Sequence, residues 1–378
     1  MTQLMDTRTP RSLLRSEVER ELQVIFSRSM STAESYGPDF SRLWTLASRH
    51  VRGGKLVRPL LLLETYDALC LSRERVLGAQ PTRGPNVPVA PSRAEVIRIA
   101  AAVETLHYAF LLHDDVIDGD FHRRGHPNLI GELAETSRQE ARPGGVRHWA
   151  QTGGILAGNM LLSSAHQSFA RAQLPAESKL RLLDVLEHTV VETTAGEFMD
   201  VGLGDGIVSA DLGTVLTMAG RKTACYSFGL PLRAASILAG GSTDLEHSLG
   251  IAGSHIGLAY QLQDDLLSTF GDAGVHGKGL YSDLREGKQT ALICFARTSG
   301  YWPVIQSALG DPDMSVHQAE HLRDLLRECG AEDFVQGLIR EQVDAASAEL
   351  SGDGAESIPA EVQEVVRALL ARIDGRLS

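Results

Sequence analysis

Hydrophobic residues recur at three- and four-residue steps along most of the chain, the spacing that places them on one face of an α-helix. The pattern is sustained over five long stretches: 13–25, 56–71, 96–117, 180–201 and 249–270. The apolar–polar alternation that would indicate strands is nearly absent. Ser92 followed by Glu95 ahead of an apolar run forms a capping box, which predicts the start of a long helix. The sequence therefore predicts an all-α protein.

Two tracts interrupt the helical pattern: residues 78–91 and a shorter break at Arg142-Pro143-Gly144-Gly145. Residues 78–91 are rich in proline and glycine and predict a loop, whose role as a lid, a dimer contact or a plain spacer stays open. Residues 1–12 are mostly polar, and we expect them to be disordered. No repeat of fixed period is visible. The remainder, 13–378, is predicted to form a single all-helical domain.

Composition narrows the class of protein. Hydrophobic residues make up 43% of the 378 residues and the mean hydropathy is -0.08, which suffices for a core and is too low for a bilayer protein. No stretch approaches the ~18 consecutive apolar residues of a membrane span. The N-terminus also lacks the apolar segment of a signal peptide. We therefore expect a cytoplasmic protein without stable membrane insertion.

Charge and cysteine usage exclude two further classes. The chain has 36 Lys and Arg against 48 Asp and Glu, a net charge of -12, which argues against nucleic acid as a partner. Its four cysteines form no C-x-x-C pair, so neither a disulfide framework nor a structural zinc site is expected. Free cysteines fit a reducing cytosol.

The first candidate site is an acidic cluster inside the third apolar stretch. His107, Phe110, Asp114 and Asp118 are separated by three, four and four residues and share one helical stripe, with Asp115 beside it. Three carboxylates within one turn repel each other and must be desolvated by a mostly apolar helix. Such a cluster persists when cations neutralise it, and hard oxygen ligands suit Mg²⁺.

A second cluster repeats the theme 150 residues later. Gln261, Asp264, Ser268 and Asp272 again step by three, four and four residues, with Asp265 beside them. Taken alone, either cluster could be a solvated helix end or a helix cap. Two of them within apolar helices favour a shared magnesium site in which the two pairs face each other. Because Mg²⁺ binds through a few carboxylates plus phosphate oxygens, the implied ligand is a diphosphate.

Basic residues stand at positions that could complete a diphosphate site. Singly, each is more often a surface charge, but cations beside two carboxylate clusters could hold two anionic groups, one through metal and one directly. The basic positions are Lys55 and Arg58 after two glycines, Arg123 and Arg124, Lys222 before Thr223, Lys278, and Lys288.

These motifs together resemble a known family. Gly54-Lys55-x-x-Arg58-Pro59, the D-D-x-x-D at 114–118, Arg123-Arg124-Gly125, Lys222-Thr223 and Gln261-x-x-Asp264-Asp265 occur in the order found in the trans-isoprenyl diphosphate synthases, the polyprenyl synthetase family. The likeness covers about residues 50 to 290 and is greatest to actinobacterial-type geranylgeranyl diphosphate synthases. It implies a homodimer whose subunits are single-domain helix bundles around a deep central cavity.

The resemblance also implies roles for individual residues. Mg²⁺, three ions per site with Mn²⁺ as a substitute, would be held by Asp114, Asp115, Asp118, Asp264 and Asp265. Allylic diphosphate would be contacted by Arg123, Lys222 and Lys278, and isopentenyl diphosphate by Lys55, Arg58, His107 and Arg124. The catalytic set would be Lys222, Thr223 and Gln261, the last two directing oxygens at the developing carbocation.

The implied reaction is prenyl transfer. Metal-assisted ionisation of dimethylallyl, geranyl or farnesyl diphosphate, attack by isopentenyl diphosphate and proton loss would give an all-trans product five carbons longer. Phe110 lies one turn before Asp114, roughly 6 Å along the helix axis, where a growing chain would meet its ring. With small Ala109 beside it, this favours the twenty-carbon geranylgeranyl product over the fifteen-carbon farnesyl product. Phe110 could equally be ordinary core.

One departure keeps other functions open. Position 268 is Ser where the second motif of the family usually has its third Asp, and the tract 264–272 approaches the metal motif of class I terpene cyclases. A cyclase uses a single diphosphate substrate and has no use for a second basic pocket, so Lys55, Arg58 and His107 favour condensation. A non-catalytic partner subunit is the other alternative, although its acidic motifs would be expected to be lost.

Overall fold

The computed structural model describes residues 9–77, 91–123, 125–137, 142–271, 281–352 and 358–374. Its helices are α1 (Pro10–Ser35), α2 (Pro38–His50), α3 (Val57–Leu77), α4 (Arg93–Ile117), α5 (Leu129–Glu135), α6 (Gly145–Ala170), α7 (Ala176–Gly204), α8 (Leu212–Ala219), α9 (Leu230–Leu238), α10 (Thr243–Phe270), α11 (Ser282–Glu286), α12 (Ala291–Ala296), α13 (Trp302–Ala308), α14 (Val316–Glu328), α15 (Ala331–Ser351) and α16 (Ala360–Asp374). A 3₁₀ turn covers Val51–Gly53, and a π-helical segment, Gly220–Gly229, joins α8 to α9. Strands β1 (His122–Arg123) and β2 (His126–Pro127) pair with each other.

The all-α prediction is confirmed. The five predicted stretches correspond to α1, α3, α4, α7 and α10, except that Leu56, the first residue of the stretch 56–71, precedes α3. Ser92 caps α4 by accepting a hydrogen bond from the Glu95 backbone N–H, which is one half of the predicted capping box. The Glu95 carboxylate accepts instead from Nη1 of Arg98 and from the backbone N–H of Gln173. At the other end of the chain, Thr9 caps α1 and Pro10 occupies its first turn, so residues 10–12 are helical rather than part of a polar tail. Residues 1–8, and 78–90 of the predicted loop, lie outside the described residues.

The chain divides into two compact units. The first comprises Met1–His122, Pro127–Leu186 and Ala234–Ser242. The second comprises Arg123–His126, Glu187–Arg233 and Thr243–Ser378. That residues 13–378 behave as a single domain stays a prediction.

In the first unit, α4 packs along α6 because α6 presents small residues to it. A Cβ added at Gly158 would lie 2.3 Å from Nε2 of His113, and one at Gly154 would lie 2.7 Å from Cγ2 of Val116. Only hydrogen fits in either place, so the two glycines allow the helix axes to approach closely. The buried apolar residues of α4, such as Ile99 and Leu106, have no measurable exposure. The rotation of α4 about its axis is thereby set.

In the second unit, α10 packs against α15 and against the π-helical segment. A Cβ at Gly257 would lie 2.3 Å from Cβ of Ala224, and one at Gly253 would lie 2.9 Å from the backbone of Gly229. On its other side, α10 is tied to α15 by a 2.8 Å hydrogen bond between Nδ1 of His255 and Oε1 of Gln342. The π-helical segment is therefore seated directly on the helix that carries the second acidic cluster.

Helix α4 is also the one helix among the described residues that is long and apolar enough to cross a membrane by composition. Within the protein, 67% of its most apolar window is buried. Packing of α4 in the core of the first unit accounts for that hydropathy, as in the central helices of many proteins.

Candidate active site

The first acidic cluster lies at the C-terminal end of α4. Asp114 is half-buried, Asp115 is 3% exposed, and Asp118 is exposed and caps the helix through its backbone N–H, 2.9 Å from the Asp114 carbonyl oxygen. Asp114 and Asp118 offer carboxylate oxygens that lie within 4.8 Å of one another. A helix C-terminus carries a partial negative charge, so placing carboxylates there is electrostatically costly. A bound divalent cation relieves that cost, and the carboxylate donor set fits Mg²⁺.

The histidine that precedes Asp114 shows which side of α4 faces α6. His113 packs its ring against Gly158 of α6, and its Nε2 lies 3.4 Å from the carbonyl oxygen of Ile155. The ring therefore contacts α6, whereas Asp114, the next residue, lies about 100° further round the helix. A packing role for His113 follows from these contacts.

The predicted stripe of α4 is present. His107 and Phe110 are half-buried, about two turns and one turn before Asp114 respectively, whereas Ala109 is fully buried in the core. The stripe therefore runs from the cluster along a partly accessible side of α4. Ala109 belongs to the packed side of the same helix.

The Lys55–Arg58 segment lies next to this stripe. A Cβ at Gly54 would lie 3.2 Å from Oε1 of Glu104, which precedes His107 by nearly one turn of α4. The Gly54 carbonyl oxygen also accepts a 2.8 Å hydrogen bond from Nη2 of Arg15. The predicted close approach of the glycine backbone is thus present, and it brings the residue before Lys55 to the turn of α4 that precedes His107.

The backbone bends sharply just before α3. Leu56 is buried and has a φ of 53°, a left-handed conformation that is strained for a residue with a Cβ. Such strain persists only where the surroundings enforce it and is concentrated at functional sites. The bend places exposed Lys55 before α3 and half-buried Arg58 in its first turn.

A two-residue hairpin follows α4. Arg123 lies on β1, and Gly125, with a φ of 75°, makes the turn to β2. Asn128 secures the exit: its Nδ2 donates to the Asp120 carbonyl oxygen at 2.9 Å, and its Oδ1 caps α5. Arg124 lies outside the described residues, as do Lys278 and Asp272.

In the second unit, Lys222 is held by two carboxylates of α7. Its Nζ lies 2.6 Å from Oδ2 of Asp200 and 3.0 Å from Oε2 of Glu197. Gly196 permits the close approach of α7 to the π-helical segment, because a Cβ there would lie 2.2 Å from the backbone nitrogen of Lys222. Half-buried Thr223 follows on the π-helical segment, a rare geometry that is frequent at functional sites.

Sequence reasoning missed Glu197 and Asp200. Both carboxylates belong to the tract Gly196-Glu197-Phe198-Met199-Asp200, where two acids spaced by three residues interrupt a helical apolar pattern. That spacing was the available signal, since residues three apart share a helix face. Only the packing of α7 against the π-helical segment identifies Lys222 as their partner.

The second acidic cluster lies near the C-terminal end of α10. Nε2 of Gln261 donates to Oδ1 of Asp265 at 2.8 Å, which fixes the orientation of the amide and directs its oxygen away from Asp265. Loss of hydration and, to a smaller extent, the charge of Asp283 raise the pKa of Asp265 to about 7, against the opposing effect of the Gln261 hydrogen bond. Asp264 is half-buried beside it.

The fold is that of the isoprenyl synthases. The structure of geranylgeranyl pyrophosphate synthase from Corynebacterium glutamicum, complexed with isoprenyl diphosphate and magnesium, matches with a TM-score of 0.82 and 27% identity over 96% of this chain and 98% of that chain. Geranylfarnesyl diphosphate synthase of Aeropyrum pernix is 29% identical over 88% of this chain and 93% of its own length. Geranylgeranyl diphosphate synthase of Methanosarcina mazei is 28% identical over 77% and 78%.

A model of the polyprenyl synthetase family matches residues 42–325, three quarters of the chain. The chain belongs to the polyprenyl synthetase family and is a trans-prenyltransferase of the short-chain type. The resemblance inferred from the motifs is confirmed.

The raised pKa of Asp265 predicts how the stability of the metal-free protein depends on pH. The folded chain holds this proton more tightly than the unfolded chain, whose carboxyl has the ordinary value of 3.8. The contribution of Asp265 to the free energy of unfolding is therefore most favourable below pH 3.8 and is lost as the pH rises to about 7. Each unit of pKa difference corresponds to about 1.4 kcal/mol, so the loss is on the order of a few kcal/mol.

The measurement is thermal unfolding in chelator from pH 5 to 8. The stability of the wild-type chain should decline as the pH rises, and Asp265→Asn should remove the part of this decline that the Asp265 carboxyl causes. We therefore expect the variant to be more stable than the wild-type chain at pH 8. Groups common to both proteins cancel in the difference. Parallel curves for the two proteins would contradict the assignment.

Proposed function

We propose that this protein condenses isopentenyl diphosphate with an allylic diphosphate to give geranylgeranyl diphosphate. The observation that carries the proposal is the arrangement on α4: a carboxylate pair at one end of an accessible stripe, and the Lys55–Arg58 segment against the same helix further back. The acidic site requires a cation to bind a diphosphate, whereas the basic site can bind one directly. Together they are suited to two diphosphates that are held in different ways. Relatives named for geranylgeranyl and geranylfarnesyl diphosphate synthesis support this substrate class.

The two acidic clusters are proposed to hold Mg²⁺, three ions in all, with Mn²⁺ able to substitute. Bound Mg²⁺ would neutralise the negative charge of the departing diphosphate. The residues proposed as ligands are Asp114, Asp115, Asp118, Asp264 and Asp265. Their carboxylate oxygens are the ligands that a hard dication prefers. A dication would also offset the energetic cost of desolvating several negative charges close together.

The basic residues are proposed to bind and orient the two substrates. Lys222, whose ammonium already lies between Glu197 and Asp200, would contact the allylic diphosphate together with Arg123 and Lys278. Orientation of the diphosphate of isopentenyl diphosphate is assigned to Lys55, Arg58, His107 and Arg124. Holding the two reactants close replaces a bimolecular encounter with an oriented reaction.

Thr223 and Gln261 are proposed to stabilise the allylic cation. The amide nitrogen of Gln261 is committed to Asp265, so its carbonyl oxygen is the part of the side chain available to face positive charge. An oxygen dipole fixed in advance stabilises developing charge without reorganising during the reaction. The released diphosphate is the proposed base that accepts the final proton, because none of the proposed site residues is assigned to that step.

One observation weighs against a cyclase, and activity measurements decide between the proposal and the other two alternatives. A class I terpene cyclase would convert an allylic diphosphate alone, whereas the Lys55–Arg58 segment beside α4 favours a second diphosphate substrate. Farnesyl diphosphate synthase remains the alternative for product length. Activity of the purified chain by itself would exclude a non-catalytic partner subunit.

We further propose a homodimer in the cytoplasm. Large apolar side chains are exposed in both units, among them Ile155 and Leu156 on α6 and Val191 and Phe198 on α7. Val191 and Phe198 are seven residues apart and so share one exposed face of α7, and an exposed apolar face of this kind is typical of a surface that a second copy covers. All four cysteines are free, which fits a reducing compartment.

The function is tested with purified protein, isopentenyl diphosphate and each of the three allylic starters. We expect Mg²⁺-dependent formation of a geranylgeranyl product, abolished by chelation. Asp114→Asn should lower kcat by about 100-fold or more, since preorganised electrostatic groups of this kind contribute that much. Asp184→Asn, an exposed carboxylate of α7, is the matched control and should leave kcat unchanged. Hydrocarbon released from an allylic diphosphate alone would instead indicate a cyclase.

Phe110 is proposed to limit product length. Phe110→Ala removes the ring one turn from Asp114, and we expect products longer than twenty carbons by mass spectrometry. Leu111→Ala truncates the adjacent residue, which lies about 100° round the helix, and should leave the product unchanged. Identical product lengths from Phe110→Ala and the wild-type enzyme would remove Phe110 from this role.

The dimer is tested by the mass in solution. Phe198 is 80% exposed, so a charge there should leave the isolated subunit folded and oppose burial of this face. We expect Phe198→Glu to shift sedimentation from dimer to monomer. Val304→Glu, at an exposed apolar position on α13, should sediment as the wild type. A monomeric wild-type chain would refute the proposal.

A further inference from the structure

The basic segment Lys55–Arg58 follows two glycines, and glycine leaves a backbone free to rotate. Gly54 precedes Lys55 in extended backbone, with a φ of -78° and a ψ of 169°. Lys55 itself is exposed, so the point from which its ammonium reaches a ligand depends on the backbone at 54–55. A lysine after such a hinge is well placed only where another part of the chain fixes the glycine.

We propose that Arg15 of α1 is a positioning residue that holds the backbone of Gly54, so that Lys55 is presented to the diphosphate of isopentenyl diphosphate. The inference rests on the proposed function, because Lys55 is assigned there to that substrate. Arg15 touches neither substrate in this account. It also lies outside residues 42–325, the region that the family model matches, so this contact is not part of the matched region.

The contact is a charge-assisted hydrogen bond between distant parts of the chain. Nη2 of Arg15 donates to the Gly54 carbonyl oxygen at 2.8 Å, across 39 residues of sequence. Because a peptide group is planar, fixing that oxygen also fixes the direction of the Lys55 N–H and the position of the Lys55 Cα. Arginine suits this task, since its planar guanidinium holds several donors in a rigid fork.

The guanidinium of Arg15 is itself oriented by a second partner. Its Nε donates to Oε1 of Glu19 at 2.9 Å, one turn further along α1. One donor of the fork is therefore held by Glu19 while another reaches Gly54. Both charged side chains are partly exposed, and ion pairs of this kind contribute little to stability. A change at Arg15 should therefore disturb the position of the basic segment more than it disturbs folding.

Helix α1 is a firm support for this contact. Its residues Val18 and Leu22 have no measurable exposure. Three ion pairs also tie α1 to its neighbours: Arg11 with Glu64 of α3 at 3.1 Å, Glu17 with Arg93 of α4 at 3.5 Å, and Glu21 with Arg98 of α4 at 3.7 Å. A group carried by a packed helix is held more precisely than one carried by a loop.

The residues around Lys55 complete its placement. A Cβ at Gly54 would lie 3.2 Å from Oε1 of Glu104, a buried residue of α4. After Lys55, Leu56 is 1% exposed, and its carbonyl oxygen accepts a 3.1 Å hydrogen bond from the Leu60 N–H of α3. Lys55 thus lies between a glycine held by α1 and a leucine packed in the core.

The competing explanation is that Arg15 acts through its charge alone. A cation near a diphosphate site attracts the substrate whatever its exact geometry. Glu19→Ala separates the two explanations, because it removes a negative charge and at the same time frees the guanidinium of Arg15. Attraction by charge then gives tighter binding of isopentenyl diphosphate, whereas loss of positioning gives weaker binding.

The test is steady-state kinetics of the full-length enzyme with Mg²⁺, in which isopentenyl diphosphate and the allylic diphosphate are varied in turn. The variants are Arg15→Met, which keeps an unbranched apolar stem, Arg15→Lys and Glu19→Ala. Arg11→Met is the matched control, because Arg11 lies one turn earlier on α1 and its guanidinium pairs with Glu64 of α3. Circular dichroism melting establishes which variants are folded.

We expect Arg15→Met to raise the KM for isopentenyl diphosphate about 10-fold, the factor that corresponds to one hydrogen bond to a charged group. The KM for the allylic diphosphate should stay unchanged. Arg15→Lys should recover part of the affinity, and Glu19→Ala should raise the same KM by up to about 5-fold. Arg11→Met should behave as the wild type.

Three results overturn the inference. The first is an unchanged KM for isopentenyl diphosphate in Arg15→Met, and the second is a lowered KM in Glu19→Ala. The third is a lowered melting temperature and kcat with both KM values unchanged, which indicates a purely structural role. If Arg15→Met fails to fold, Arg15→Lys and Glu19→Ala decide by the same criteria.

The wild-type chain separates this inference from the proposed function. A wild-type enzyme that makes prenyl product, together with an Arg15→Met variant of unchanged KM, refutes the role of Arg15 and leaves the function standing. A wild-type chain that transfers no prenyl group refutes the function. Arg15 is then judged by calorimetric titration with inorganic diphosphate in chelator, where equal affinity of the wild type and Arg15→Met overturns its role.

Discussion

Repulsion among carboxylates at the ends of two apolar helices is the constraint on which the site depends. Asp114 and Asp118 lie within 4.8 Å of each other at the negative end of α4, and Asp265 is so poorly hydrated that its pKa rises to about 7. Residues chosen only for stability would avoid both arrangements. The protein therefore holds its carboxylates close together at a cost that a dication would relieve, and in the proposed function that relief would contribute to binding the metal–diphosphate complex.

Close packing keeps these unfavourable groups in place. Gly158 admits His113, Gly257 admits Ala224, and Gly196 admits the backbone of Lys222. At each position a Cβ would overlap its neighbour, so the helices can approach only with hydrogen there. The rotation of α4 and the position of the π-helical segment follow from these contacts. The packed backbone, rather than the electrostatic forces between the charged side chains, then determines where those side chains lie.

The ionic contacts of the second unit show how charge is distributed around a site before substrate binds. Lys222 is shared by Asp200 and Glu197, and Lys288 is shared by Glu286 and Asp283. Each lysine is thus held in place by acids, and in the proposed function Lys222 would contact the allylic diphosphate from this position. Preorganised cations of this kind cost less to align during a reaction than free side chains.

The sequence by itself determined the all-α fold, the long helices and the family, because helical periodicity and the spacing of the D-D-x-x-D and Gly-Lys-x-x-Arg motifs are local properties. It also placed His107, Phe110, Asp114 and Asp118 on one stripe, since that relation lies within one helix. Tertiary structure alone decided which carboxylates surround Lys222 and that Asp283 meets Ser268. Lys222 and Asp200 are separated by 22 residues and Ser268 and Asp283 by 15, and the members of each pair lie on different elements. Their contact depends on which helices pack together, which no local pattern specifies.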